Sequence, residues 1–394
     1  MNDKEIKKGI IYVGANDAER RIFDELIELP DGTTYNSYLV SGSEKTALID
    51  SVDPSKKDIL LSNLKAAGIK SIDYVVSQHG EQDHSGSIPD VLAAYPMAKV
   101  VTNSKCRGEL ADLLMIKEDK FITIEDGGEI SLGDKTLKFF FTPWAHWPET
   151  FVTYIPEDRM LFTCDFLGSH YATENLYAQS NDEILIPAKR YYAEIMSPFR
   201  SMIRKNLEKI KVLDVDIVAP SHGPLHKGMD FITGYYSQWA SDDVKNEVTI
   251  AYISMHGSTG KITRYFIESL EKKGMKVHAF NLADADIGDI AMALLDSATA
   301  IIGSPMVLAG PHPKAIFIAY LLKALRPKTR FLSVIGSYGW GGKLVEQLAE
   351  MLGSLGAEII EPVLVKGYPK EADFKMLDEL AEKIRAKHQE LGLS

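Results

Sequence analysis

The chain has 394 residues, 45% hydrophobic and 25% charged, with a formal net charge of −11; this predicts a globular protein too long for one ordinary core, hence two domains. The acidic balance argues against a nucleic-acid binder, whose affinity depends on cationic contacts to phosphates, the polar stretch Met1 to Lys8 predicts no signal peptide, and the longest apolar runs, such as Ile316 to Leu322, are too short to span a membrane. With only Cys106 and Cys164, a disulfide scaffold and any four-cysteine iron–sulfur or rubredoxin-type site are excluded, and a reducing, cytoplasmic setting is expected.

Up to about residue 245, short β-rich runs alternate with turns and helices. Strands are expected at Thr34–Val40, Thr46–Ile49, Tyr74–Val76, Lys99–Thr102, Leu137–Phe141, Phe151–Ile155 and Met160–Thr163. Many short strands divided by turn residues predict large packed sheets with helices outside. Ser241–Glu247 reads as a polar linker. From Val248 the rhythm becomes regular. Strands expected at Val248–Ser254, Lys276–Asn281, Ala298–Gly303, Arg330–Ile335 and Glu358–Val365 alternate with helices at Lys261–Lys272, Ile287–Leu295, Pro313–Leu325, Gly342–Leu352 and Lys370–His388. Five such pairs are the pattern of a doubly wound parallel sheet.

Chemistry concentrates at strand ends in the first region. Six of the ten histidines lie between positions 79 and 226. The densest group, His79-Gly80-Glu81-Gln82-Asp83-His84, follows the apolar run that ends at Ser77; Gly80 and Ser85-Gly86 supply the turn that four ligand-capable side chains in six residues require. His146 follows Leu137–Phe141, Asp165 follows Met160–Cys164, and His222 follows Val215–Pro220. Rigid strands thereby aim distant ligands at one rim. Imidazoles with carboxylates and no thiolates suit iron, zinc or manganese. Three histidines and three carboxylates exceed one four-coordinate zinc and divide between two metals, with a carboxylate such as Asp165 able to bridge. His84 reads either as a ligand or as a donor that orients one. His170, His226, His278, His312 and His388 read as ordinary hydrogen-bonded residues.

In the second region three loops follow the first, third and fourth strands. Ser254-Met-His256-Gly257-Ser258-Thr259-Gly260-Lys261 offers backbone amides and hydroxyls at a helix N-terminus, a setting for phosphate; it has neither the Walker A nor the G-x-G-x-x-G spacing. The others are Ser304-Pro305-Met306-Val307-Leu308-Ala309-Gly310-Pro311 and Ser337-Tyr338-Gly339-Trp340-Gly341-Gly342. Loops at the carboxyl ends of parallel strands are where such sheets bind ligands.

His79-x-Glu81-x-Asp83-His84 followed by His146, Asp165 and His222 resembles the metal-binding pattern of the metallo-β-lactamase fold, and in particular that of the flavodiiron proteins, or A-type flavoproteins; Glu81 stands where the wider fold typically carries histidine. The resemblance covers essentially the whole chain. It implies an α+β metallo-β-lactamase-like αββα sandwich over residues 1–246 and an α/β flavodoxin-like five-stranded doubly wound sheet over 247–394. It implies a first iron on His79, Glu81 and His146, a second on Asp83 and His222, and Asp165 bridging. The residue matching His84 is a ligand in some members and turned away in others. Where the family often has tryptophan after the last ligand, this chain reads Pro224-Leu225-His226, so His226 stands as the alternative to His222.

The first C-terminal loop is similar to the flavodoxin phosphate loop, with Ser254, His256, Gly257, Ser258, Thr259 and Gly260 around the FMN phosphate. The other two, Ser304 to Gly310 and Ser337 to Gly341, resemble the flavin-ring loops, with Tyr338 or Trp340 near the ring. The resemblance implies an FMN and two irons per chain, with no catalytic residue beyond the metal site. The expected reaction is reduction of dioxygen to water or of nitric oxide to nitrous oxide, fed by a separate rubredoxin or a reduced deazaflavin coenzyme. A head-to-tail homodimer, or a dimer of dimers, is implied, with Trp147 a candidate for the junction and Tyr191 and Tyr192 candidates for the site's surroundings. Two alternatives remain from sequence: a metallo-β-lactamase-type hydrolase with an attached flavodoxin module, and a flavodoxin-type carrier with a structural metal domain.

Overall fold

The computed structural model describes residues 4–393; Met1 to Asp3, the start of the polar N-terminal stretch, and Ser394 lie outside the described residues. The chain divides into two compact units. One runs to Tyr192 and takes up Phe199–Ala240; the other comprises Ala193–Pro198 and the chain from Ser241 onward.

The first unit is built on two sheets. The seven-stranded sheet has the order Glu5–Lys7, Ile10–Tyr12, Tyr38–Ser41, Thr46–Ile49, Tyr74–Val76, Lys99–Thr102, Phe121–Thr123. Its last four strands run parallel, and the crossovers between them carry the helices Lys57–Ala66, Ile88–Ala94 and Ser104–Leu114. Side chains alternate between the two faces of a strand. Tyr38, Val40, Ala47, Ile49, Val76 and Val101 therefore face one core together with Leu137, Phe139, Phe151, Ile155, Met160 and Phe162 of the second sheet. Leu39, Leu48, Val75 and Val100 point the other way, onto Leu60, Leu64, Ile88, Val91, Cys106 and Leu110 of those helices. The six-stranded sheet runs Glu129–Ser131, Thr136–Phe141, Phe151–Ile155, Met160–Cys164, Ile217–Pro220, His226–Lys227.

The expected strand Thr34–Val40 is two strands in two sheets. Thr33–Tyr35 pairs with Ala15–Asp17, and Tyr38–Ser41 joins the large sheet. The break falls at Asn36, whose buried amide nitrogen donates to the carbonyls of Pro220 (2.8 Å) and Gly223 (2.7 Å) and so draws the chain out of register.

The second unit is a parallel sheet in the order Lys276–Asn281, Lys245–Tyr252, Ser297–Val307, Phe331–Tyr338, Glu358–Ile359. The second strand in sequence lies outside the first, and the third, fourth and fifth follow on its other side, the flavodoxin-like doubly wound arrangement. Three expectations need correction. The last strand is interrupted, because Pro362 cannot donate to a ladder, and it resumes as Val363–Lys366 beside Phe331–Tyr338. The second of the loops expected near the flavin is largely strand: Ser304 and Pro305 remain paired with Gly336 and Ser337, and a tight hairpin returns the chain at Gly310–Pro311. The end of the expected linker, Lys245–Glu247, already belongs to the first strand. Among the described residues no helix is long and apolar enough to cross a membrane.

Candidate functional site

Each ligand-bearing loop is set by its own small residues. After Tyr74–Val76 the chain turns at Ser77, whose hydroxyl donates to the His79 carbonyl (2.9 Å), while Ser85 Oγ donates to Gly80 O (2.8 Å) and closes the loop. The short helix Gln82–Ser85 then places Asp83 and His84, both buried. Cys164, ending its strand at φ 52°, turns the chain so that Asp165 enters the cluster; Gly223, at φ 78° where an L side chain is strained, lets His222 do the same. Asp50, absent from the sequence reading, braces two of these loops. Its buried carboxylate accepts from Gln78 N and Nε2 (2.8 Å each) and from Ser221 Oγ (3.2 Å).

These loops gather all seven expected metal residues. His79, Glu81, His146 and Asp165 offer ligand atoms within 4.8 Å of one another, and so do Asp83, His84 and His222. Asp165 lies between the groups. Its Oδ2 is 3.4 Å from the Nε2 atoms of both His79 and His146; its Oδ1 is 2.9 Å from His84 Nε2 and 3.4 Å from His222 Nε2. Asp83 Oδ2 is 3.0 Å from His222 Nε2 and 3.2 Å from His84 Nε2, and Glu81 Oε2 is 3.1 Å from His79 Nε2 and 3.2 Å from His146 Nε2.

Two of the imidazoles have their tautomer fixed from behind. The Thr34 carbonyl lies 2.6 Å from His222 Nδ1, and a carbonyl can only accept, so the proton sits on Nδ1 and Nε2 is left a lone pair facing the cluster. Glu149 Oε1 does the same at 2.6 Å from His79 Nδ1.

The donor set fits two cations. Both carboxylate oxygens of Asp83 and of Asp165, and both ring nitrogens of His84, are buried with no hydrogen-bond partner outside the cluster itself, an arrangement that costs free energy unless a positive charge satisfies it. In the protein alone, protons play that part. Burial opposes charging His79, but hydrogen bonds to Glu149 and Glu81 hold its pKa well above the usual value. Burial likewise opposes charging His84 and His146, and the Asp165 carboxylate outweighs it, raising both to about 9. Asp165 is correspondingly held far below the carboxylate range, against burial, by the charge of His84 and a hydrogen bond from His146.

His226, the alternative, is elsewhere. It lies on an edge strand with Nε2 3.2 Å from Leu167 O. His170 packs at a tilt against His222 (ring centroids 4.7 Å) and pairs with Thr33 Oγ1 (2.9 Å); burial keeps it neutral. His278 pairs with Glu247, His312 caps the helix Pro313–Leu325, and His388 bonds Thr299 and Asn246. Tyr191 packs 6.0 Å from the His222 ring, whereas Tyr192 turns away onto Tyr236 and Trp239. Trp147 packs edge-on to His79 at 4.9 Å. Cys164 lies near His84 and Asp165, but burial pushes its thiol well above its usual pKa, leaving it neutral.

Glu81 and Asp83 open onto a cleft of about 550 Å³ bounded by Arg20, Phe23, Asp24, Pro54, Leu113 and Trp147. Burial, and then the charges of Glu81 and Asp83, raise Asp24 to about 6. Nothing in the spacing of Asp24, Asp50 or Glu149 announces these partners, since each meets the site only through the fold.

In the second unit a cleft opens at the carboxyl ends of the strands, lined by Met255, His256, Ser258, Thr259, Pro305, Met306, Ser337, Tyr338, Gly339 and Gly367. Helix Ser258–Lys272 begins at Gly257, in the left-handed region at φ 90°, where the capping position itself carries no side chain; the amides of its first turn suit a phosphate. Ser254 Oγ accepts from Gly260 N (3.0 Å), and Thr259 Oγ1 pairs with Ser337 Oγ (2.8 Å), tying two of the loops together. Met255 and Gly367 were not foreseen. Of the remaining expected residues, Ser304 is buried and its hydroxyl spans Pro305 O and His312 N. Val307, Leu308, Ala309 and Gly310 form the hairpin tip, with Leu308 almost fully exposed; Trp340 is exposed beside the open Gly341.

A family model described as ODP family beta lactamase matches residues 33–223, and one described as Flavodoxin matches residues 250–381. The chain is 33% identical to a nitric oxide reductase of Moorella thermoacetica over 97% of its own length and 98% of that protein. It is 30% identical to a coenzyme F420H(2) oxidase of Methanothermobacter marburgensis over 90% of its length and 91% of that protein. Among solved structures it is similar to rubredoxin oxygen:oxidoreductase from Desulfovibrio gigas, with a TM-score of 0.93 at 30% identity over 98% of both chains.

Proposed function

The chain belongs to the flavodiiron proteins, and on that premise we propose that His79, Glu81 and His146 hold one iron, Asp83, His84 and His222 a second, with Asp165 between them, and that the C-terminal cleft holds FMN. When bound, these groups supply electron transfer from a donor to dioxygen, giving water, or to nitric oxide, giving nitrous oxide. The observation that carries this reading is Asp165, which presents one oxygen to each of two histidine–carboxylate groups.

The chain's own residues set the terms. Glu149 and the Thr34 carbonyl keep Nε2 of His79 and His222 free to bind. Phe23, His170 and Tyr191 wall His222 with rings, holding it in place. The cleft at Glu81 and Asp83 leaves a way in for a small substrate, which a purely structural metal domain would not need. Glu81 and the flavodoxin unit speak against the hydrolase alternative, and the relatives above are named as oxidoreductases.

The relatives' names supply the donors proposed here, rubredoxin or reduced coenzyme F420. The apolar side chains left open near the flavin cleft, Leu308 and Trp340, support the head-to-tail homodimer, and two buried free thiols suit a cytoplasmic setting.

The test is metal and flavin analysis of anaerobically purified protein, then reduction and stopped-flow mixing with dioxygen and with nitric oxide separately. Two irons and one FMN per chain, with rapid reoxidation by at least one gas, are expected. Asp165→Asn should lose iron from both groups and keep its flavin. Zinc in place of iron, or a reduced protein inert to both gases, would overturn the reading.

A further inference from the structure

The carboxylate behind His79 is itself held by a second carboxyl. Glu149 is fully buried; its Oε1 receives the His79 Nδ1 proton at 2.6 Å and the Gly80 amide at 3.1 Å. Its other oxygen, Oε2, is buried with no hydrogen-bond partner. Glu109, from helix Ser104–Leu114, brings its own carboxyl within 4.8 Å, and its Oε2 is likewise buried without a partner.

Gly80 leaves the space for this approach. A Cβ there would lie 2.6 Å from Glu109 Oε2 and 3.6 Å from Glu149 Oε1. The helix is keyed to the same place twice more: Asn103, which caps it, donates to the Glu149 carbonyl, and the Cys106 thiol lies on Ser77 O.

Two carboxylates this close in a buried position repel, and one proton between them removes the repulsion and gives both orphaned oxygens a partner. Glu149 Oε1 already accepts from two N–H groups, the His79 ring and the Gly80 amide, which favours its ionised form and its role as acceptor. The proton therefore belongs to Glu109.

We propose that Glu109 and Glu149 are positioning residues for the metal centre: Glu109 donates to Glu149, and Glu149 fixes His79 with its proton on Nδ1 and its Nε2 turned to iron. The inference rests on the iron-binding reading above. An anionic acceptor on Nδ1 strengthens Nε2 as a donor and favours the more highly charged metal; the hydrogen bond from Glu109 tempers that pull.

Full-length protein stripped by a chelator is titrated with ferrous iron against a chromogenic competitor, and the iron-loaded protein is titrated by EPR-monitored redox potentiometry. Glu149→Gln is expected to weaken iron binding by about 10–100-fold and to move the midpoint potential upward. Glu109→Gln, whose amide still donates, should match wild type, whereas Glu109→Ala should move the potential downward. Wild-type affinity and potential in Glu149→Gln, or indistinguishable Glu109→Gln and Glu109→Ala proteins, would overturn the proposal. Should Glu149→Gln not fold, the half-buried Glu109 pair decides alone. A wild-type chain that takes up no iron strikes the function reading instead; one that binds two irons with all variants alike strikes only this inference.

Discussion

His222 and His226 show how four residues of chain separate a proposed ligand from a spacer. His222 has Nδ1 committed to a carbonyl and Nε2 free among carboxylates. His226 has no carboxylate partner, and burial, against its bond to Leu167 O, lowers its pKa to about 4. Its stability effect has a definite sign. Above about pH 6.5 the ring is neutral folded or unfolded; as pH falls toward 4 the unfolded chain takes up a proton that the folded state refuses, so stability is lost through that window, by up to about 3 kcal/mol. His226→Gln should remove that loss. Urea midpoints at pH 7 and pH 4.5 check it: the drop should be larger in wild type than in the variant, the metal cluster's own acid sensitivity being common to both. The clustered histidines and carboxylates were legible because they follow apolar strands and are of types that bind metal. Glu149 was not, since a glutamate after His146-Trp147-Pro148 looks like any loop carboxylate and its partner lies 70 positions earlier in the chain. Asp50 and Glu109 were hidden for the same reason.

At the scale of elements, the break at Asn36 matters more than the strands on either side of it. Its amide holds the carbonyls of Pro220 and Gly223, the residues flanking the Ser221-His222 turn, and its own N–H donates to Ser221 O (2.8 Å). Asn36→Ala would leave the buried Gly223 carbonyl without its donor and the Pro220 carbonyl with only the Tyr38 hydroxyl, a loss on the order of 1–3 kcal/mol, and would loosen the turn that carries His222. The expected outcome is a lower urea midpoint together with iron lost first from the Asp83–His84–His222 group, read by metal content after dialysis; an unchanged metal content would show that the turn stands without it. Sequence periodicity missed this break because Thr34 to Val40 has the composition of one strand, and only the remote carbonyls divide it. It served better in the later unit, where parallel strands buried on both faces read as plain apolar runs. There it erred at Lys245–Glu247, polar residues that already begin the first strand, at Pro362, which interrupts a strand, and at Leu308-Ala309, whose left-handed backbone (φ 50° and 64°) makes a hairpin where a loop was expected.

At the scale of the whole molecule, composition marks a change of texture near residue 247, whereas contacts divide the chain at Ala240 and Ser241 and return Ala193–Pro198 to the later unit. No periodicity reveals that segment. It is a π-helical and 3-10 stretch, tied to its unit by Ser197 Oγ donating to Leu325 O at 3.3 Å. Every residue lining the cleft proposed for FMN, from Met255 to Gly367, nonetheless lies after Ser241, and the core of that unit, including Ile250, Ile262, Phe266, Ile301, Ile335 and Leu380, is its own. A fragment spanning residues 241–394 should therefore fold and quench the fluorescence of added FMN, with an affinity within about tenfold (about 1.4 kcal/mol) of the full chain. Its thermal midpoint should be lower than that of the same unit in the full chain, because the groups that Ala193–Pro198 covers, the Leu325 carbonyl among them, are left to water. A fragment that folds cooperatively by circular dichroism yet leaves FMN fluorescence unchanged would mean that the cleft needs residues from the earlier part of the chain, and the assignment of the cofactor to this unit alone would fail.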